Sequence, residues 1–210
     1  MKENYQKMLE KTLSGLDANK PPRLLLHSCC APCSSYVLEY LSRYFEITVL
    51  YYNPNISPAS EFTHRFEEQK RLIAAMPLTI PATCVMGRYD PVEFTTIAKG
   101  HENDPEGGDR CTACFRLRLE ETAKLVKEGG YDYFTTTLSI SPLKDAERLN
   151  RIGGELAEQY GVPYLFSDFK KREGYKRSIQ LSAEYGLYRQ DYCGCAYSKR
   201  DAENRKKEQK

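Results

Sequence analysis

The sequence has no tryptophan, no long apolar run and no recognisable leader. Its apolar stretches are all far shorter than the ~20 residues that cross a bilayer. Residues 1–20 are polar and mixed in charge, without the apolar centre and cleavage pattern of a signal peptide. These absences argue against a membrane-spanning or secreted protein, and we expect a soluble globular protein of the cytoplasm.

A strong charge of one sign is also missing. The formal net charge is +2, which does not indicate a dedicated electrostatic binder of nucleic acid. Two short basic runs still allow contact with phosphate, although a solvated face explains them equally well. The candidates for contact with an RNA backbone are Lys170, Lys171, Arg172, Lys176 and Arg177.

Cysteine, by contrast, is abundant, with eight in 210 residues. In a reducing cytoplasm, clustered thiols more often bind metal or carry out redox chemistry than form structural disulfides. Cys84 stands alone in a predicted strand, where a buried and inert thiol is expected. The other seven form three clusters: Cys29, Cys30 and Cys33; Cys111 and Cys114; Cys193 and Cys195.

Apolar segments alternate with helical patterns along most of the chain. This alternation predicts parallel strands joined by crossover helices, so the fold class is α/β, with an open, mainly parallel, doubly wound sheet flanked by helices. We expect one domain with a core over about 22–198, a polar N-terminal arm or helix over 1–20, and a frayed tail over 202–210. The predicted strands are 23–28, 46–52, 79–86, 131–138 and 162–166.

The first cysteine cluster directly follows the first predicted strand. Ligands of doubly wound sheets bind at the carboxyl ends of the strands, and Asn53 and Thr137 lie at the ends of two other predicted strands. We therefore expect the functional site at this edge. Ser34 or Ser35 is the predicted cap of the helix that follows the cysteines.

Cys111 and Cys114 occupy the start of a predicted helix, where residues three apart point the same way. The positive end of the helix favours thiolates. With Cys29 and Cys30 they make the four ligands that a 4Fe–4S cluster needs. Structural zinc is the rival, because Cys30 and Cys33 could pair with Cys111 and Cys114 as two knuckles. Spacing alone leaves cluster and zinc near parity.

Cys193 and Cys195 are separated by one glycine. Two thiols so close can form a small, strained disulfide ring, which is easily reduced and suits catalysis better than structure. On closing, the dithiol delivers two electrons and two protons. Alternatively, the pair supplies two further metal ligands.

These motifs together resemble the QueH family of epoxyqueuosine reductases. The likeness extends over about 22–198, and five ordered blocks are far more specific than any single pair of cysteines. The blocks are 27–33, 110–117, 135–142, 168–171 and 188–195.

The resemblance implies a reductase that converts epoxyqueuosine to queuosine at the wobble position of tRNA, the last step of queuosine biosynthesis, without cobalamin. It implies Cys193 and Cys195 as a redox-active disulfide, and an electron donor that the sequence does not identify. Cys33 lies outside the implied ligand set, either free or holding an additional iron. The implied ligands of a 4Fe–4S cluster are Cys29, Cys30, Cys111 and Cys114.

Two other functions compete with this one. The fold also resembles the adenine nucleotide alpha-hydrolase-like (HUP) class, which includes ATP-dependent tRNA sulfur-transfer enzymes. Those enzymes carry a glycine-rich phosphate loop after the first strand, whereas residues 28–33 contain no glycine, which argues against ATP binding. The non-enzymatic alternative is a zinc-stabilised RNA-binding module.

Overall fold

The computed structural model describes residues 3–208. Its sheet has four parallel strands in the order β3-β2-β1-β4. This arrangement confirms the predicted open α/β sheet. The strands are β1 (Arg23–His27), β2 (Glu46–Tyr51), β3 (Thr83–Met86) and β4 (Tyr133–Thr136).

Helices cover both faces of the sheet. A short 3-10 helix, Thr137–Ile140, directly follows β4. Within residues 3–208, no helix has the length and apolar character needed to cross a bilayer. The α-helices are α1 (Tyr5–Ser14), α2 (Ala31–Leu41), α3 (Ala59–Ala75), α4 (Pro91–Ala98), α5 (Asp109–Gly129), α6 (Ala146–Tyr160), α7 (Gly174–Glu184) and α8 (Ala196–Glu208).

The central strand β1 explains why the core has two layers. Leu24 and Leu26 pack into the cluster on the α2 side, whereas Leu25 packs into the cluster on the α5 side. Successive side chains of a strand point to opposite faces, so a strand buried on both faces must be apolar throughout. The uninterrupted leucine run of β1 is therefore a consequence of helices on both sides.

The fifth predicted strand, 162–166, is not formed. Only one isolated parallel bridge joins Tyr164 to Phe134. Pro163 accepts a hydrogen bond from the Phe134 amide through its carbonyl but has no amide proton to donate. Pro163 therefore ends the ladder on one side of this bridge, and on the other side the Ser167 amide donates to Asn150 Oδ1 instead of to β4.

Both ends of the described chain are better anchored than their sequences indicate. Leu9 and Leu13 of α1 are buried in the core. At the other end, the sequence predicts a frayed tail over 202–210, yet α8 continues through Glu208. Buried Ala202 and an ion pair from Lys206 to Asp191 hold this helix against the preceding loop. Residues 209 and 210 lie outside the described residues.

Candidate active site

A cleft of about 370 Å³ opens at the carboxyl ends of β1 and β4. Three parts of the chain build most of it: residues 29–33 at the start of α2, the segment 138–144 after β4, and the loop 189–193 before α8. The cleft lies at the sheet edge where the sequence predicts the functional site. The cysteines that line the cleft are Cys29, Cys30, Cys33 and Cys193.

The first thiol cluster is compact. The sulfurs of Cys29, Cys30 and Cys33 all lie within 4.8 Å of one another, close enough to share a metal ion. The cluster is compact because α2 begins at Ala31, with extended Cys30 before it and Pro32 in its first turn. The predicted cap at Ser34 or Ser35 is therefore wrong by one turn.

Hydrogen bonding within this cluster favours one shared negative charge. Bonds from Cys29 and Cys33 hold the pKa of Cys30 well below its ordinary value. The bond to Cys30 raises the pKa of Cys29 to about 11, and hydrogen bonds with Cys29 and Cys30 raise that of Cys33. A thiolate supported by two thiols is a donor set suited to soft metals.

The second cluster occupies the first turn of α5. Cys111 accepts a hydrogen bond of 3.3 Å from the Gly107 amide. Cys114 is buried, and burial raises the pKa of its thiol to about 12. Both residues line a small second cavity, whose wall also contains Cys193 and Cys195.

The third cluster lies in a loop whose backbone is held by hydrogen bonds from neighbouring segments. All eight cysteines fall within the described residues and all are free thiols, so Cys193 and Cys195 are not bonded to each other. Arg65 donates a hydrogen bond of 3.1 Å to the Cys193 carbonyl, and the Ser57 amide donates one of 3.0 Å to the Gly194 carbonyl. Gly194 has a φ of +127°, and an added Cβ would lie 2.9 Å from Ile56.

The geometry brings seven of the eight cysteines to one end of the sheet. Cys193 connects them, since it lines both the large cleft and the small cavity. The close-packed group of Cys29, Cys30 and Cys33 does not extend to Cys111 or Cys114 among residues 3–208. Cys84 lies apart on β3, where burial raises the pKa of its thiol to about 12.

Arg118 is a functional candidate that sequence reasoning missed. It is 1% exposed, and its contacts are neutral: Nε donates to the Cys114 carbonyl and Nη1 to Asn53 Oδ1. Its Nη2 has no hydrogen-bond partner among the described residues. The sequence held one signal, because Arg118 lies one turn beyond Cys114 on the same face of α5.

Lys144 is a second missed candidate. Lys144 is 8% exposed and lines the large cleft, and its ammonium donates a hydrogen bond of 3.1 Å to Cys193 Sγ. It also pairs with Glu106 at 3.3 Å. Nothing in the local sequence places Lys144 beside a cysteine 49 residues away.

The basic runs are largely compensated by carboxylates. Arg172 pairs with Glu10, Lys176 with Glu173, and Arg177 with Glu39. Lys170 pairs with Asp168. By contrast, Arg189 and Arg205 line the large cleft directly.

An open parallel α/β sheet with three thiol clusters at one edge defines a cysteine-based metal or redox protein. A family model described as epoxyqueuosine reductase QueH matches residues 24–201. The chain belongs to this family.

Curated relatives align with this chain over most of their length, and each is named epoxyqueuosine reductase QueH. The protein of Staphylococcus epidermidis is 44% identical over 202 residues, covering 94% of this chain and 85% of the relative. That of Streptococcus pyogenes is 40% identical, with 94% and 78% covered. That of Thermotoga maritima is 35% identical, with 83% and 89% covered.

Proposed function

We propose that this protein is an epoxyqueuosine reductase that acts on tRNA and forms queuosine at the wobble position. The family supports the reaction. The observation that carries the proposal is the position of Cys193, whose thiol lines the same cleft as Cys29 and Cys30. A modified base bound there would lie between a metal-binding thiol cluster and one member of a dithiol.

The stoichiometry of the reaction matches a dithiol. Reduction of an epoxide to an alkene and water consumes two electrons and two protons. Closure of Cys193 and Cys195 to a disulfide releases the same two electrons and two protons. The pair would therefore reduce one substrate molecule, after which an electron donor must reopen the disulfide.

The site also fits an anionic metal cluster. A buried guanidinium without a negative partner is costly, because the charge is removed from water without compensation. Among residues 3–208, Arg118 is in this situation, because its hydrogen bonds go to neutral groups and its Nη2 has no partner. Metal-bound cysteines are thiolates, so metal binding beside Arg118 would supply the missing negative charge.

The proposed ligands of a 4Fe–4S cluster are Cys29, Cys30, Cys111 and Cys114. A cubane offers four separate irons, so its ligands need not converge on one ion, as Cys29, Cys30 and Cys33 would have to if they shared one. When bound, the cluster would supply one-electron transfer next to the cleft. Cys33 is then left to hold an additional iron or to remain a free thiol.

Arg118→Met tests the charge argument. We expect the variant to bind less iron, while the thermal stability of the metal-free protein stays equal or rises, because an uncompensated buried charge is removed. The measurements are iron content after anaerobic reconstitution and thermal unfolding of the metal-free chain.

Arg110→Met is the matched control for Arg118→Met. Arg110 is also 1% exposed on α5, but its Nη1 donates to the carbonyls of His101, Glu102 and Asp104. Its loss should therefore destabilise the metal-free protein. If Arg118→Met destabilised the metal-free chain as much and left iron content unchanged, Arg118 would have no link to the cluster.

The ion pairs formed by the basic runs lead to a prediction about the affinity for tRNA. Arg189→Ala with Arg205→Ala should weaken tRNA binding more than Lys176→Ala with Arg177→Ala, because the first two residues line the cleft and the second two are paired with carboxylates. Each lost phosphate contact should flatten the slope of log affinity against log salt by about 0.7 to 0.9. Binding titrations at several salt concentrations measure both quantities, and the reverse order would refute this placement.

An anaerobic turnover assay tests the proposed function itself. The reconstituted protein, a chemical reductant and tRNA carrying epoxyqueuosine are incubated, and the nucleosides are identified by mass spectrometry. We expect queuosine to accumulate over many turnovers. ATP-dependent incorporation of sulfur into tRNA without formation of queuosine would instead support the sulfur-transfer enzyme, and a colourless protein with stoichiometric zinc and no conversion would support the RNA-binding module.

A further inference from the structure

The two thiols of the Cys193–Cys195 pair have different surroundings. Cys193 is partly exposed and lines the large cleft. Cys195 is 7% exposed, accepts a hydrogen bond from the Ser198 amide, and is absent from the wall of the large cleft. Burial raises the pKa of Cys195 above its ordinary value. The pair is therefore asymmetric before any substrate binds.

A buried ammonium adds to this asymmetry. Lys144 Nζ lies 3.1 Å from Cys193 Sγ and 3.3 Å from Glu106 Oε1. Burial lowers the pKa of Lys144, but the interactions with Cys193 and Glu106 outweigh this effect and raise the pKa of Lys144 above its ordinary value. The residue is therefore a cation at neutral pH, although it is 8% exposed.

The backbone of Lys144 is fixed by two hydrogen bonds. Its amide donates to the Ser141 carbonyl at 3.1 Å, and its carbonyl accepts from Lys170 Nζ at 3.4 Å. The side chain is anchored at its tip by Glu106. A side chain held at both ends loses little entropy when it makes one more contact, so its hydrogen bond to sulfur is strengthened.

We propose that Lys144 is a positioning residue that selects Cys193, rather than Cys195, as the thiol that reacts in the cleft. An ammonium donates a stronger hydrogen bond to a thiolate than to a thiol, because the bond then joins opposite charges. Glu106 keeps Lys144 aimed at the sulfur. The inference rests on the proposed function only in taking the pair to be redox-active.

Alkylation of the cysteines tests this selection without any substrate. The anaerobically purified, metal-loaded protein is reduced, freed of reductant and treated with iodoacetamide at pH 7.5, and fragment mass spectra distinguish Cys193 from Cys195. We expect Cys193 to be labelled faster than Cys195. Lys144→Met should slow the labelling of Cys193 by about tenfold, as expected for loss of a charge-assisted hydrogen bond, and should leave Cys195 unchanged.

Three further variants separate positioning from a structural effect. Lys144→Arg keeps a cation and should restore most of the labelling rate, whereas Lys124→Met removes a lysine paired with Glu120 on the outer face of α5 and should change nothing. Glu106→Gln frees Lys144 from its carboxylate but leaves the ammonium beside Cys193, so labelling should fall less than in Lys144→Met.

Equal labelling of Cys193 in the wild-type protein and in Lys144→Met, with both proteins folded by circular dichroism, would overturn the proposal. The same result would leave the proposed function standing, because turnover of epoxyqueuosine is measured separately. Conversely, the labelling rate of Cys193 could differ tenfold between the wild-type protein and Lys144→Met while epoxyqueuosine is not reduced. That result would support the Lys144–Cys193 interaction and refute epoxyqueuosine as the substrate.

Discussion

Cys193→Ser with Cys195→Ser should reduce multiple-turnover formation of queuosine by about 100-fold or more, because serine cannot be oxidised to a disulfide. The iron content of the variant should match that of the wild-type protein, since neither residue is a proposed ligand. The measurements are the steady-state rate with a chemical reductant and a colorimetric iron assay on the same preparation.

Cys84→Ser is the matched control for this double variant. Cys84 is a free thiol on β3, remote from the cleft, and its loss should leave the rate within about twofold of wild type, as expected for a conservative change away from the reacting atoms. Full multiple-turnover activity in the double variant would show that the dithiol has no role. Loss of iron together with activity would show that the pair binds metal instead.

Cys30→Ala should remove most of the bound iron and with it the activity. Cys30 is buried, and hydrogen bonds from the neighbouring thiols of Cys29 and Cys33 hold its pKa well below its ordinary value, which favours the thiolate that binds metal. Loss of a ligand should cost more than the about 10–100-fold that loss of a hydrogen-bonding partner of a ligand costs in metal affinity. Iron and sulfide analysis of anaerobically reconstituted protein measures the effect.

Cys33→Ala distinguishes a 4Fe–4S cluster from structural zinc. With Cys29, Cys30, Cys111 and Cys114 as ligands, the variant should retain a full 4Fe–4S complement, losing at most one additional iron. Two zinc knuckles would instead require Cys33, so Cys33→Ala would then lose metal as completely as Cys30→Ala. Retention of metal in Cys30→Ala would contradict both arrangements.

The sequence pattern predicts the centre of the fold well, and the reason is physical. The leucine run of β1 is buried on both faces, which leaves little freedom in its position or its parallel pairing with β2 and β4. The pattern fails at 162–166, where composition favours a strand, but Pro163 has no amide proton to donate and the Ser167 amide donates to Asn150 Oδ1. The composition of a segment does not show whether the backbone amides needed to pair with a neighbouring strand are free to donate.

Sequence spacing finds the cysteines but not their surroundings. The pairs at 111 and 114 and at 193 and 195 are visible as motifs, whereas their meeting around one small cavity depends on how α5 and the loop before α8 pack. Arg118 and Lys144 are single charged residues whose significance comes from burial and from contacts distant in sequence. Such roles can be recognised only from the tertiary structure.

The most direct measurement of the central claim is the amount of queuosine formed by pre-reduced protein with no reductant present. The protein is treated with a thiol reductant that opens the disulfide, desalted anaerobically and mixed with excess tRNA carrying epoxyqueuosine. The dithiol holds the two electrons that one reduction consumes, so we predict about one queuosine per chain with loss of two titratable thiols. Queuosine formed without thiol loss, or formed equally by Cys193→Ser with Cys195→Ser, would contradict the account.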